Sequence, residues 1–165
     1  MITQAGEYAL RAIMYLGCED TDKPSTASQI ASATKVPLAY LQKILRKLTQ
    51  KQLLVAHRGI RGGFVLAKLP AAISVLDVLK ACDSAPQRVE RCPLGNSGHA
   101  HLCALHKLID QQTASAERIF AVTSIEDLLN DQSAIGPMCE VSSETSVTLQ
   151  IDARNGSPKA PDKSE

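Results

Sequence analysis

Cys92 and Cys103 bracket a Gly- and His-containing segment, Pro93-Leu94-Gly95-Asn96-Ser97-Gly98-His99-Ala100-His101-Leu102, and His106 follows three residues after Cys103. Thiolates suit an iron–sulfur cluster, and imidazole can replace thiolate on iron. Cysteines separated by ten residues match no standard cluster spacing. The spacing therefore equally allows a redox-sensing thiol pair. A nucleophilic cysteine with His106 as base would be an enzyme's pairing. No third orienting group and no substrate-binding motif accompanies it, so no catalytic residue is assigned. Cys18 and Cys82 fall in helical stretches, where a lone cysteine packs as a small hydrophobe. Cys139 lies in a polar tail.

The elements that position these residues are legible from composition and pattern. The chain has 165 residues, which suits one ordinary domain with an appendage. Aromatics make up 3% and Trp is absent, so the core must be built from Leu, Ile, Val and Ala, as in helical packing. The first residues lack a basic stretch followed by a long apolar run, and no segment has the ~20 apolar residues a membrane span needs. A cytoplasmic protein without a disulfide framework is expected, and five cysteines at irregular spacing agree.

Thr3 to about Cys18 carries apolar residues at helical spacing, with Glu7 and Arg11 as an i,i+4 pair. Thr26-Ala27-Ser28-Gln29 has the form of a capping box and opens a short helix to about Thr34. After Lys35-Val36, Pro37 suits the first position of a helix running to about Lys51, with Leu38, Leu41, Ile44, Leu45 and Leu48 on one face. Leu54–His57 and Phe64–Ala67 read as strands of a hairpin around Arg58-Gly59-Ile60-Arg61-Gly62-Gly63. Ser74 caps a further helix. A long helix from about Ala100 to Ala121 carries Leu102, Leu105, Ile109, Gln112, Ala116 and Ile119 near an a/d seam. The expected fold is mostly α with a small β-hairpin wing: a winged helix-turn-helix plus a long dimerisation helix. The expected division is a DNA-binding domain over 1–83, a sensor loop and dimerisation helix over 84–130, and a disordered tail over 131–165.

Net charge is only +1, yet Lys35, Lys43, Arg46, Lys47, Lys51, Arg58, Arg61 and Lys68 follow one another with no intervening Asp or Glu. Positive charge concentrated on one helix and one hairpin is the footprint of a phosphate-facing surface. The early turns of a recognition helix enter the major groove, which makes Ala39, Tyr40, Gln42 and Lys43 candidate base readers. Arg46, Lys47 and Lys51 suit phosphates. Arg58 and Arg61 suit an adjacent minor groove, and Ser25, Thr26 and Ser28 suit phosphate at a helix start. An adaptor that uses the same fold for protein contacts is the rival reading, against which the acid-free basic run argues.

Tyr8-Ala9-Leu10-Arg11, Tyr40 through Leu48, Arg58-Gly59-Ile60-Arg61-Gly62-Gly63-Phe64 and Val75-Leu76-Asp77-Val78-Leu79 resemble the Rrf2 family of transcription regulators, the group that includes IscR, NsrR and RirA. The resemblance spans about Met1 to Asn130. It implies a homodimer, joined through the long helix, that binds a partly palindromic double-stranded operator as repressor or activator. It also implies a 2Fe-2S cluster in the cysteine loop, because cluster-binding members carry three cysteines there, ending in a pattern like Cys103-Ala104-Leu105-His106. Here the middle cysteine is missing and Asn96 to His99 stand in its place. The resemblance therefore leaves three readings. One is a mixed site of Cys92, Cys103, a histidine (His106, His99 or His101) and the partner subunit's Glu7; the others are a thiol pair and a cofactor-free regulator.

Overall fold

Four helix starts are set by Ser or Thr side-chain caps in the computed structural model, which describes residues 2–19, 23–59, 62–92 and 102–131. Helix α1 (Gln4–Cys18) begins at Thr3, whose hydroxyl accepts the Gly6 N–H. Helix α2 (Ala27–Thr34) begins with a complete capping box: the Thr26 hydroxyl accepts the Gln29 N–H, and the Gln29 side chain accepts the Thr26 N–H. It ends where Lys35 turns left-handed at φ 56°. Helix α3 (Leu38–Gln50) follows, with Pro37 as its cap, one position earlier than its expected place as first helical residue.

Strands β1 (Leu54–His57) and β2 (Gly63–Leu66) pair antiparallel, Leu54 opposite Leu66 and His57 opposite Gly63. Ser25 adds a third edge, exchanging backbone hydrogen bonds with Phe64 at 3.1 and 2.8 Å. A Cβ on Gly63 would sit 2.6 Å from the Ser25 carbonyl oxygen, so only glycine lets the wing close on the segment before α2. A short 3-10 turn (Pro70–Ala72) leads to α4 (Val75–Ala81), capped reciprocally by Ser74 and Asp77. Helix α5 (Ala104–Val122) is the longest, and α6 (Ile125–Leu129) has its own Ser124–Asp127 box.

The core lies where α1, α2, α3 and α4 meet. Ala9, Ala12, Ile13, Ile30, Leu41, Leu45, Leu48 and Val78 are fully buried there. Burying each large aliphatic side chain contributes roughly 1.5–3 kcal/mol. Helix α6 returns to this core: Ile125 is fully buried, its N–H bonds the Ile73 carbonyl, and the Val75 N–H bonds Thr123. Helix α5 stands apart, resting on α4 and contributing no buried residue. Its exposed apolar side chains are Leu105, Leu108, Ile109, Ile119 and Val122. Leu108 and Val122 were not in the expected seam, so the apolar stripe is rotated slightly from it. Cys82 is buried as expected, but Cys18 is exposed at the end of α1, so the buried-hydrophobe expectation fails there. Positions 132–165, with Cys139, lie outside the described residues.

Candidate nucleic-acid interface and thiol site

Helix α3 divides cleanly. Leu41, Ile44, Leu45 and Leu48 face the core, which leaves Ala39, Tyr40, Gln42, Lys43, Arg46 and Lys47 exposed on the other side. A groove of about 430 Å³ runs between this face and the wing, lined by Ala27 of α2, Gln42, Arg46, Thr49 and Gln50 of α3, and Ala56 and Phe64 of the hairpin. The early part of α2, the outer face of α3 and the wing therefore border one surface. Arg58 is exposed at the end of β1, where Gly59 takes φ 108° to begin the turn. Arg61 lies outside the described residues.

Four expected contact residues have further roles. Ser25 is buried, its backbone committed to Phe64, while Thr26 and Ser28 are exposed beside it. Tyr40 packs its ring edge-on against Tyr8 at 5.7 Å, and Arg11 stacks over Tyr8 and donates to the Thr34 carbonyl. Helices α1, α2 and α3 are thereby joined at the base of the recognition helix. Lys47 donates to Asp83 at 2.7 Å, which raises the lysine's pKa and lowers the carboxylate's through the same hydrogen bond. Lys51 turns toward a second, smaller depression with Lys68 and Lys80, away from Gln42 and Arg46.

The thiol site is built by the loop after α4 and the first turn of α5. Cys103 occupies the N-cap of α5, and His106 is the third residue of that helix. The His106 Nδ1 lies 3.1 Å from the Cys103 sulfur and 3.6 Å from the Cys92 sulfur. The three donor atoms all fall within 4.8 Å of one another. The His106 backbone N–H and then its imidazole draw the Cys103 thiol down to about 7. Cys82 behaves oppositely, pushed up to about 11 by burial, and serves as packing.

The segment leading to Cys92 is tied down three and four residues upstream. Arg88 grips Asp110 of α5 with two hydrogen bonds of 2.6 and 2.7 Å, and the Val89 N–H donates to the same carboxylate at 3.1 Å. Such a two-pronged guanidinium–carboxylate pair fixes orientation as well as distance. Within its own chain Glu7 pairs with Arg11, the intrahelical ion pair that its spacing allows, and is not among the three donors that this chain gathers. His99 and His101 lie outside the described residues.

Residues 2–131 match the family described as "Rrf2: Iron-dependent Transcriptional regulator". This chain belongs to the Rrf2 family. It is 28% identical over 137 residues to the HTH-type transcriptional regulator NsrR of Geobacillus kaustophilus, covering 81% of this chain and 92% of that protein. To the regulator IscR of Yersinia pseudotuberculosis it is 26% identical over 136 residues, covering 79% of this chain and 80% of that one. Its fold resembles those of CymR, the global cysteine regulator of B. subtilis (TM-score 0.66, 23% identity, 78% of this chain and 95% of that chain), and of T. potens IscR (TM-score 0.66, 22% identity, 84% and 95%).

The Rrf2 chain is thus a helix-turn-helix transcriptional regulator and not an enzyme. Its mostly helical architecture with a two-strand hairpin is that of the family's winged fold. Sequence reasoning missed Asp83, Arg88 and Asp110, the residues that tie the recognition helix and the thiol loop to their neighbours. Arg88 and Asp110 are 22 residues apart and Lys47 and Asp83 are 36 apart, so no local spacing announces either pair.

Proposed function

We propose that this Rrf2 regulator binds operator DNA as a homodimer and that the Cys92–Cys103–His106 site governs that binding. The single observation that carries the DNA reading is the groove shared by α3 and the wing, because it lets one duplex touch both. Ala39, Tyr40, Gln42 and Lys43 enter the major groove. Gln42 offers a paired donor and acceptor to adenine, and Lys43 reaches guanine acceptors. Arg46, Thr26 and Ser28 hold phosphates, Lys47 joins them once it leaves Asp83, and Arg58 with Arg61 enters the adjacent minor groove.

The dimer forms along α5. Leu105, Leu108, Ile119 and Val122 are 61, 56, 60 and 80% exposed at three-, eleven- and three-residue steps, which keeps them on one stripe of a two-helix seam. The thiol site sits at the start of that same helix. A change in its occupancy or oxidation therefore acts on the element that sets the spacing of the two recognition helices.

The test is selection of bound duplexes from a random pool, followed by affinity measurements on the protein under reducing, oxidising and chelating conditions. The expected result is a partly palindromic site whose affinity changes with the state of the thiol site. Equal affinity in all three conditions would remove the switch and leave DNA binding. No selected site would remove the regulator's proposed target surface.

A further inference from the structure

The geometry of the three donors points to one metal ion rather than two: we propose that Cys92, Cys103 and His106 hold a single zinc or ferrous ion in a tetrahedral site with one open position. This rests on the metal-or-thiol reading of the site given above. A two-iron cluster takes four protein donors shared between two irons. Donors on opposite irons stand farther apart than donors on one iron, because both metals and the bridging sulfides lie between them. Here the described residues supply three donors, all within 4.8 Å of one another. In a single tetrahedron, bonds of about 2.3 Å to sulfur and about 2.0 Å to imidazole nitrogen set donors about 3.5–3.8 Å apart. The Cys92–His106 separation of 3.6 Å already has that value, and the Cys103–His106 separation of 3.1 Å needs only a few tenths of an ångström of opening.

The chemistry of the set agrees. Two thiolates and an imidazole are the donors of a borderline-soft divalent ion, and tetrahedral sulfur–nitrogen coordination is that of zinc or iron. Binding releases one proton from each thiol, and the two thiolates balance the ion's double charge. The Arg88–Asp110 pair holds the Cys92 loop against α5, so the donors are gathered before the ion arrives. Among the described residues no fourth donor joins the three, which leaves the last corner of the tetrahedron open.

The experiment adds zinc alone, or ferrous iron alone without oxygen, to the purified full chain and counts metal and acid-labile sulfide per chain. X-ray absorption then gives the ligand set. One ion per chain, no sulfide, and a shell of two sulfurs with nitrogen or oxygen support the proposal; whichever metal binds more tightly names the ion. Cys92→Ser, Cys103→Ser and His106→Ala should each weaken binding at least tenfold. Cys103→Ser is the informative one, because serine is a good N-cap and leaves α5 intact. Two irons and two sulfides per chain after anaerobic reconstitution would overturn the proposal while leaving a metal-sensing regulator. No binding of either metal above the triple variant would overturn it too. DNA binding measured on the same samples reports separately on the regulator reading.

Discussion

Lys47 is the recognition-helix cation whose charge is already engaged, and replacing its partner should release it to DNA. Lys47 is 48% and Asp83 81% exposed at the side chain, so the pair is solvent-screened and adds little to stability. Asp83→Asn should leave the melting temperature nearly unchanged. It should strengthen DNA binding, because a carboxylate beside the phosphate-facing helix disappears and the lysine becomes available. Each phosphate neutralised contributes about 0.9 to the slope of log affinity against log salt. One extra contact per subunit should therefore steepen that slope by about 1.8 for a dimer. Between 50 and 200 mM salt this amounts to roughly a tenfold greater loss of affinity for the variant than for the wild type. The assay is fluorescence anisotropy on a mixed-sequence duplex across a salt series, which isolates the electrostatic part. Lys47→Met in the Asp83→Asn background should erase the gain, closing a double-mutant cycle. Unchanged or weaker binding by Asp83→Asn, with the fold intact, would refute the assignment of Lys47 to the DNA-facing surface.

Gln42→Ala should relax preference at one base position at a cost of about 1–3 kcal/mol, while Arg46→Ala, a phosphate contact, should weaken all duplexes alike; competition with single-base operator variants separates them. Ile125→Ala should lower stability by about 2–5 kcal/mol by denaturant melting, since its side chain is fully buried where α6 meets α1. The Asp110 and Asp127 carboxyls are held below their ordinary range, by Arg88 and by the Ser124 hydroxyl respectively. Their contribution is thus complete at neutral pH and is lost as pH falls through the depressed values, below about 4. Denaturation midpoints at pH 7, 5 and 3 should show the drop only in the last interval, and a smaller one in the Asp110→Asn, Asp127→Asn double variant.

Local signals carried most of the fold. The Thr26–Gln29 and Ser74–Asp77 caps and the two short alternating runs of the wing place α2, α4 and the hairpin within a residue or two, because capping and turn formation are decided by neighbours in sequence. The Ser25–Phe64 bridge, the return of Ile125 to the core and the Arg88–Asp110 clamp were not legible, since each joins residues far apart along the chain. At the thiol site the residue types identified Cys92, Cys103 and His106, but only their separation in space distinguishes a compact three-donor set from two cysteines that never meet. Glu7 illustrates the reverse case: its spacing to Arg11 was sufficient to anticipate the pairing within its own chain.

Hydroxyl-radical footprinting on a selected operator tests most directly whether α3 and the wing engage one duplex. Two protected patches about one helical turn apart are expected, each flanked by minor-groove protection that Arg58→Ala removes and Lys43→Ala leaves in place. Protection that persists unchanged in both variants, or that never extends beyond the major-groove segment, would contradict the shared surface on which the account depends.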